Sequence, residues 1–254
     1  MNQAAVSIGP VLAVVLVALV LLAVAAAALG QLGVSRAVVS ASLRSVVQLA
    51  AVSLVIAAVL RSWWATAAFI TLMVLVAAAT SARRIGSWDL VRFTILPIAA
   101  GALPAGLLIV VTGTVPRSEV AVLPIAGILI GGAMTATSLA GRRALDELRN
   151  RYGEYEAALA LGFLPRDAAL EVCRPTAGQA LVPALDQTRT VGLVTLPGAF
   201  VGVLLGGGSA AQAGATQLLV LVALLAVEAI AVAVTVELVA RGLLRRPGVS
   251  GRAA

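Results

Sequence analysis

Apolar residues dominate seven stretches of the chain, at about 8–29, 38–60, 63–81, 92–113, 119–140, 190–208 and 214–240. A helix needs about 20 apolar residues to cross a hydrocarbon core of roughly 30 Å. The pattern predicts an all-α polytopic membrane protein with about seven transmembrane helices. The first stretch has no basic segment ahead of it and no small-residue cleavage site with a polar continuation, which predicts a retained helix. Most connections are short. The exception is 141–189, the one long polar segment.

Within that segment Leu145, Leu148, Tyr152, Tyr155 and Leu159 recur at helical spacing. Arg142, Arg143, Asp146, Glu147, Arg149 and Arg151 occupy the other positions. Arg142–Asp146, Arg143–Glu147 and Glu147–Arg151 are i,i+4 pairs, worth ~0.3 kcal/mol each. The fifth span is therefore expected to run on into water as an amphipathic helix. Gly162 is placed to end it, and Pro165 to open a second helix over about 165–173. One reading is a helix pair lying on the inner leaflet. Asp146, Glu147, Glu154, Glu156, Asp167 and Glu171 argue against it, because anionic lipid repels them. The other reading is a coupling element, two short rods joined by a small turn that fits against a partner.

Charge orients the spans. All 18 basic residues are Arg, and the net charge is +7. Arg61 and Arg117 fall on one side. Arg36, Arg44, Arg83, Arg84, Arg92, Arg142, Arg143, Arg149, Arg151, Arg166, Arg174, Arg189, Arg241, Arg245, Arg246 and Arg252 fall on the other. The positive-inside rule places the N-terminus outside, and 141–189 and the C-terminus in the cytoplasm. Because the positive charge follows membrane boundaries and aromatic content is only 4%, nucleic acid is not an expected partner. The bilayer is, since 61% of residues are hydrophobic.

Absences narrow the chemistry. Without His there is no His general base and no His metal ligand. The single Cys, Cys173, rules out an intrachain disulfide. Without Lys there is no Walker A loop. The chain is not expected to be an enzyme, and any ATPase must be another chain.

Glu156-Ala157-Ala158, three residues, Gly162, nine residues and Val172-Cys173-Arg174-Pro175 resemble the EAA loop of ABC-transporter permeases, E-A-A-x3-G-x9-I-x-L-P. Val172 and Arg174 depart from it. Three further blocks are Ser42-Leu43-Arg44-Ser45-Val46-Val47-Gln48-Leu49, Leu123-Pro124-Ile125-Ala126-Gly127 with Gly131 and Ala133-Met134, and Leu159 to Gly162 followed by Ala180 to Asp186 and Thr190 to Gly198. Together they resemble the FetB-type (UPF0014) family of ABC permeases, associated with iron export, over roughly 36–240.

The resemblance implies a single permease domain over 1–254, with 141–189 as its coupling loop, in a bacterial plasma (inner) membrane. It implies docking of a cytoplasmic ABC ATPase subunit at Tyr155, Glu156, Ala157, Ala158, Leu161, Gly162 and Pro165. It also implies a second permease copy, and ATP acting only through the partner, with no cofactor on this chain. Two departures stand out: Gly132 replaces the Asn of the family's A-G-N-A-M, and Glu228 falls where a small or hydroxyl residue is expected.

Inside the spans, Arg44 and Gln48 share a helix face, and Gln217 and Glu228 lie on the last span. These four are the candidate substrate path. An acid at mid-bilayer costs roughly 2.5–3.5 kcal/mol on insertion scales, so Glu228 is expected to face protein or water. Glu237 is near enough to the inner end to reach the interface. Gly127 and Gly131 form a small-residue packing motif. Pro97, Pro104, Pro124 and Pro197 interrupt spans, with bends expected at Pro124 and at Pro197-Gly198. Metal ligands are few, so the sequence leaves a metal site open.

The expected function is an ABC permease exporting iron or a related metal. The alternatives are an ion-coupled secondary transporter using Glu228 and a membrane scaffold that recruits a cytoplasmic partner.

Overall fold

The computed structural model describes residues 9–245. Arg246 and Arg252, counted above in the charge asymmetry, lie outside the described residues, as does residue 8 of the first expected span. The chain forms two compact units, Met1–Ser62 and Trp63–Ala254.

The first unit is a helical hairpin of α1 (Pro10–Leu29) and α2 (Ser35–Val59). Pro10 opens α1, where its missing N–H is not needed. The turn between the helices uses positive φ at Gln31 and Gly33. Only Ala27 of α1 and Val59 of α2 are buried, so most other leucines and valines of the two helices are exposed. Ser42 satisfies its hydroxyl on the carbonyl of Val38 at 2.9 Å, the usual way a hydroxyl is tolerated in a helix in lipid.

The second unit is a bundle of α3 (Trp63–Ile85), α4 (Val91–Val111), α5 (Glu119–Asn150) and α10 (Ala210–Ala240). Four shorter helices complete it: α6 (Tyr152–Ala160), α7 (Pro165–Ala177), α8 (Val182–Thr190) and α9 (Gly198–Leu205). Six helices of the described residues, α1 to α5 and α10, are long and apolar enough to cross a membrane.

Small residues set the spacing of the bundle. Ala77, Ala78 and Ala82 of α3 and Ala133, Ala136 and Ala140 of α5 are all buried, which lets backbones approach closely. Cross-helix hydrogen bonds follow. Thr94 donates to the Ala78 carbonyl at 2.8 Å, Ser81 to that of Met134 at 3.1 Å, and Ser138 to the Ser81 hydroxyl at 3.1 Å. Gly127 approaches Met73 of α3, but Gly131 has no neighbour where its side chain would be, so these two do not act as one packing motif. The tight contacts are at Gly101, Gly132 and Gly141.

The register of these contacts gives helix direction. Met73, Ser81 and Ile85 meet Gly127, Met134 and Gly141 in that order, so α3 and α5 are parallel. Gly132 meets Leu224 and Glu228, while Gly141 meets Thr235, so α5 and α10 are parallel as well. Arg83, Arg84, Arg92, Arg142, Arg143 and Arg241 therefore collect at one end of the bundle, with Arg117 at the opposite end.

Two parallel helices need a return path between them, and that path is broken. The expected continuous helix at 190–208 is not formed. α8 ends at Thr190, and Val191–Thr195 closes a small turn in which Gly192 has φ of 80° and donates to the Thr195 carbonyl at 2.9 Å. Pro197 then caps α9 and Gly198 is its first residue, so these two start a helix rather than bend one. At eight residues α9 is about 12 Å long, far short of a crossing. Gly207, with φ of 88°, turns the chain into α10, whose Ser209 and Gln212 form a reciprocal capping box. Pro124 sits within α5 without ending it.

A Cβ at Gly101 would lie 2.6 Å from the Val227 carbonyl oxygen, whereas one at Gly141 would meet the movable end of Ile85 at 2.6 Å. Gly101→Ala should lower thermal stability by about 1–3 kcal/mol and Gly141→Ala by less, read as the midpoint of thermal unfolding in detergent.

Candidate functional site

Two places concentrate chemistry: the helix pair at the Arg-rich end, and a cavity half-way along the bundle.

α5 extends past its apolar part to Asn150, as the stripe of Leu145, Leu148 and Tyr155 requires; these residues pack against the core. The helix then breaks at Arg151. The Arg151 guanidinium donates to Glu154 and, at 3.3 Å, to the Val172 carbonyl of α7, and it pairs with Glu147 at 3.9 Å. The bond to Arg151 holds the Glu154 carboxyl below the usual carboxylate range. Arg142 turns back to the Ser138 carbonyl at 3.4 Å.

α6 ends at Ala160, and Gly162 adopts φ of 92°, a conformation that favours glycine. Pro165 opens α7, which runs past Pro175 to Ala177, four residues beyond the expected end. The docking residues read from the sequence sit around this turn. Tyr155 is half-buried, Glu156 and Ala157 are exposed, Ala158 is intermediate, and Gly162 and Pro165 are exposed. Leu161 is 80% exposed, and it is joined by Phe163 and Leu164, which the sequence reading had not singled out. Three outward apolar side chains at the tip of a polar element form a surface that water does not favour.

The root of this element is fixed. Ala168, Ala169, Leu170, Val172 and Cys173 bury one face of α7. Arg166 grips Glu237 of α10 with both ends of its guanidinium, at 2.6 and 2.8 Å, and Arg241 donates to the same carboxylate at 2.6 Å. Bidentate charge-assisted pairing of this kind fixes geometry as well as contributing energy. Glu237 thus serves as an anchor for α7.

The cavity, about 310 Å³, lies between α5, α8 and α10. Gly131, Gly132, Thr135, Pro183, Ala184, Gln187, Leu224 and Glu228 are among the residues that line it. Glu228 is 8% exposed. Gly132 makes room for it, since a Cβ there would lie 2.9 Å from Glu228 Oε1 and 2.5 Å from Leu224 Cδ2. Gly132 and Glu228 therefore form one feature: a carboxylate on α10 occupies the space that a side chain on α5 would need.

Gln217 shares the face of Glu228, eleven residues or about 16 Å away along α10. It is buried, and its Oε1 lacks a partner among the described residues, as does Thr137 Oγ1. Arg44 and Gln48 are exposed on α2, in the other compact unit. Gln187 was missed because α8 carries no apolar periodicity long enough to be read as a membrane element. No group of three or more metal-ligating residues occurs among the described residues. Cys173 is not among the residues lining the cavity, and its thiol contacts the Ala144 carbonyl at 3.5 Å. Burial pushes the Cys173 thiol up to about 11, so it stays protonated at neutral pH. Maleimide labelling of the folded protein at pH 8 should be at least roughly tenfold slower than after denaturation, because the thiolate is the nucleophile.

Comparison with known proteins gives this architecture its relatives. Residues 11–244 match the uncharacterised protein family UPF0014. The UPF0014 membrane protein YjkA of Bacillus subtilis is 31% identical over 196 residues, covering 74% of this chain and 76% of that protein. The protein ALUMINUM SENSITIVE 3 of Arabidopsis thaliana is 37% identical over 126 residues, 50% of this chain and 46% of the relative. The probable iron export permease protein FetB of Escherichia coli is 32% identical over 132 residues, 50% and 49% of the two chains. The chain thus spans about half the length of the Arabidopsis and Escherichia coli relatives it matches. No solved structure matches it. With the family match covering nearly the whole chain, and with its apolar helices, this is a multi-pass membrane protein that belongs to the UPF0014 family.

Proposed function

We propose that the chain is the membrane-spanning permease subunit of an ABC transporter, exporting iron or a related metal and energised by a separate ATPase subunit. The observation that carries this reading is the α6–α7 element. It presents Leu161, Phe163 and Leu164 outward on a Gly162 turn, while Arg166 and Glu237 tie its root to α10. An exposed apolar tip suits a partner's groove, and a fixed root suits the transmission of force. Similarity to a protein named a probable iron export permease supports the cargo class.

The Arg-rich end faces the cytoplasm of a bacterial cell by the positive-inside rule, which puts α6 and α7 where an ATPase can reach them. Two permease copies pair with two ATPase subunits. ATP-driven closure of the motors draws the two α6–α7 elements together. Each element pulls on α10 through Arg166 and Glu237, and α10 carries Glu228 to alternate access. This chain binds no cofactor of its own; ATP acts through the partner.

Co-purification from membranes with the candidate ATPase tests the docking. Gly162→Arg should abolish the complex while the permease still elutes as a folded species, because a side chain at positive φ is strained and the tip is displaced. Retention of the complex in that variant would sink the docking assignment.

Glu237→Gln should leave the complex intact but reduce transport-coupled ATP hydrolysis roughly three- to tenfold, as expected for losing a partly exposed bidentate pair. Unchanged coupling would remove Glu237 from the transmission path.

A further inference from the structure

We propose that the cavity between α5, α8 and α10 binds a hard divalent cation that keeps most of its water shell, with the Glu228 carboxylate as its one charged partner. The proposal deepens the transport reading by placing the cargo, and it is testable on this chain without any ATPase.

Three observations lead to it. First, Glu228 is buried on α10, yet its carboxylate has no hydrogen-bond or ion-pair partner among the described residues. A charge removed from water needs compensation. Elsewhere in the bundle the carboxylate of Glu237 has two arginines, so the chain supplies a counter-charge where a structural anchor is needed. At Glu228 no arginine does so, and its charge is balanced by a cation from outside or removed by a proton.

Second, the space beside it is the right size. The space, about 310 Å³ and open on one side, has room for several waters. That accommodates a cation with a full first shell. Gly131 leaves open space on the α5 wall, while Gly132 lets the carboxylate lie close against the α5 backbone.

Third, the donors and acceptors match a hydrated ion. Metal-bound water is a hydrogen-bond donor, so its site should offer acceptors. Glu228 offers two oxygens and the Gln187 amide one. The Thr135 hydroxyl donates its proton to the Gly131 carbonyl at 3.1 Å, leaving its lone pairs free to accept. One carboxylate and two neutral oxygens are too few to strip a divalent cation, so the ion keeps most of its first water shell. No imidazole or thiolate lines the cavity, so oxygen-seeking ions are favoured over soft ones. Gln187 sits on α8, part of the broken return path, so movement of that segment would open or close the acceptor set.

Mn²⁺ is the probe, titrated into the purified full-length chain in nanodiscs of zwitterionic lipid and followed by electron paramagnetic resonance. Wild type should show one saturable site whose proton ENDOR spectrum contains several exchangeable water protons. Glu228→Gln should lose the site. Gly132→Ala and Gln187→Ala should each weaken it, by roughly tenfold as for outer-shell partners. Glu119→Gln, remote from the cavity lining, should leave it unchanged. Size-exclusion profile and unfolding midpoint check folding; should Glu228→Gln fail to fold, the exposed Gln187→Ala still decides. Absence of a saturable site in wild type would overturn the proposal and leave Glu228 carrying a proton. So would binding that survives Glu228→Gln or Gln187→Ala undiminished, or a bound ion with no exchangeable water. Loss of ATPase co-purification affects none of these readouts, so the two readings fail separately.

Discussion

The close approach of α10 to α4 and α5 organises the rest of the molecule. Gly101 meets the Val227 backbone, Gly132 meets Leu224 and Glu228, and Gly141 packs beneath Ile85 and Thr235. In lipid, helices gain nothing from hiding apolar surface from water, so contact depends on close packing and a few hydrogen bonds. Small residues supply the first, and Thr94, Ser81 and Ser138 the second. Because these contacts make α5 and α10 parallel, the chain must travel back between them. The end reached by α5 becomes the site of α6 and α7, and the return becomes α8, a turn and α9.

That return explains why polar chemistry lies where it does. Non-helical backbone at membrane depth is tolerated only beside protein or water. α8 borders the cavity through Pro183, Ala184 and Gln187, opposite Gly132 and Glu228. The break that follows satisfies part of its own backbone through Gly192 and Thr195.

The α6–α7 element and the cavity are joined by one rigid rod. Glu237 and Glu228 are nine residues apart on α10, about 14 Å along its axis. The two carboxylates have opposite fates. Glu237 is held by Arg166 and Arg241 at the edge of the bundle, while Glu228 is buried without a protein cation. Their separation along one helix gives a single displacement of α10 two consequences, one at the anchor and one at the cavity.

Much of this was legible in the residues. Apolar length marked α1 to α5 and α10, because crossing a bilayer needs a continuous run that few other folds require. The stripe through Leu145, Leu148 and Tyr155, the Gly162 turn and the Pro165 start were readable because helix periodicity and backbone chemistry are local. Glu228 announced itself as an acid among apolar residues. The return through 190–208 and an interruption at Pro197 were readable, but not that the segment fails to form a crossing helix, since its composition is as apolar as a true span. Nor was the cavity: Gly132, Gln187 and Glu228 lie far apart in the chain and come together only through packing. The sequence by itself determined which segments are helical and which residues are chemically unusual, because those depend on neighbours a few positions away. The Arg asymmetry had already oriented the spans; the tertiary structure alone decided the broken path between α5 and α10 and the partner of each carboxylate, because those depend on which backbones can touch.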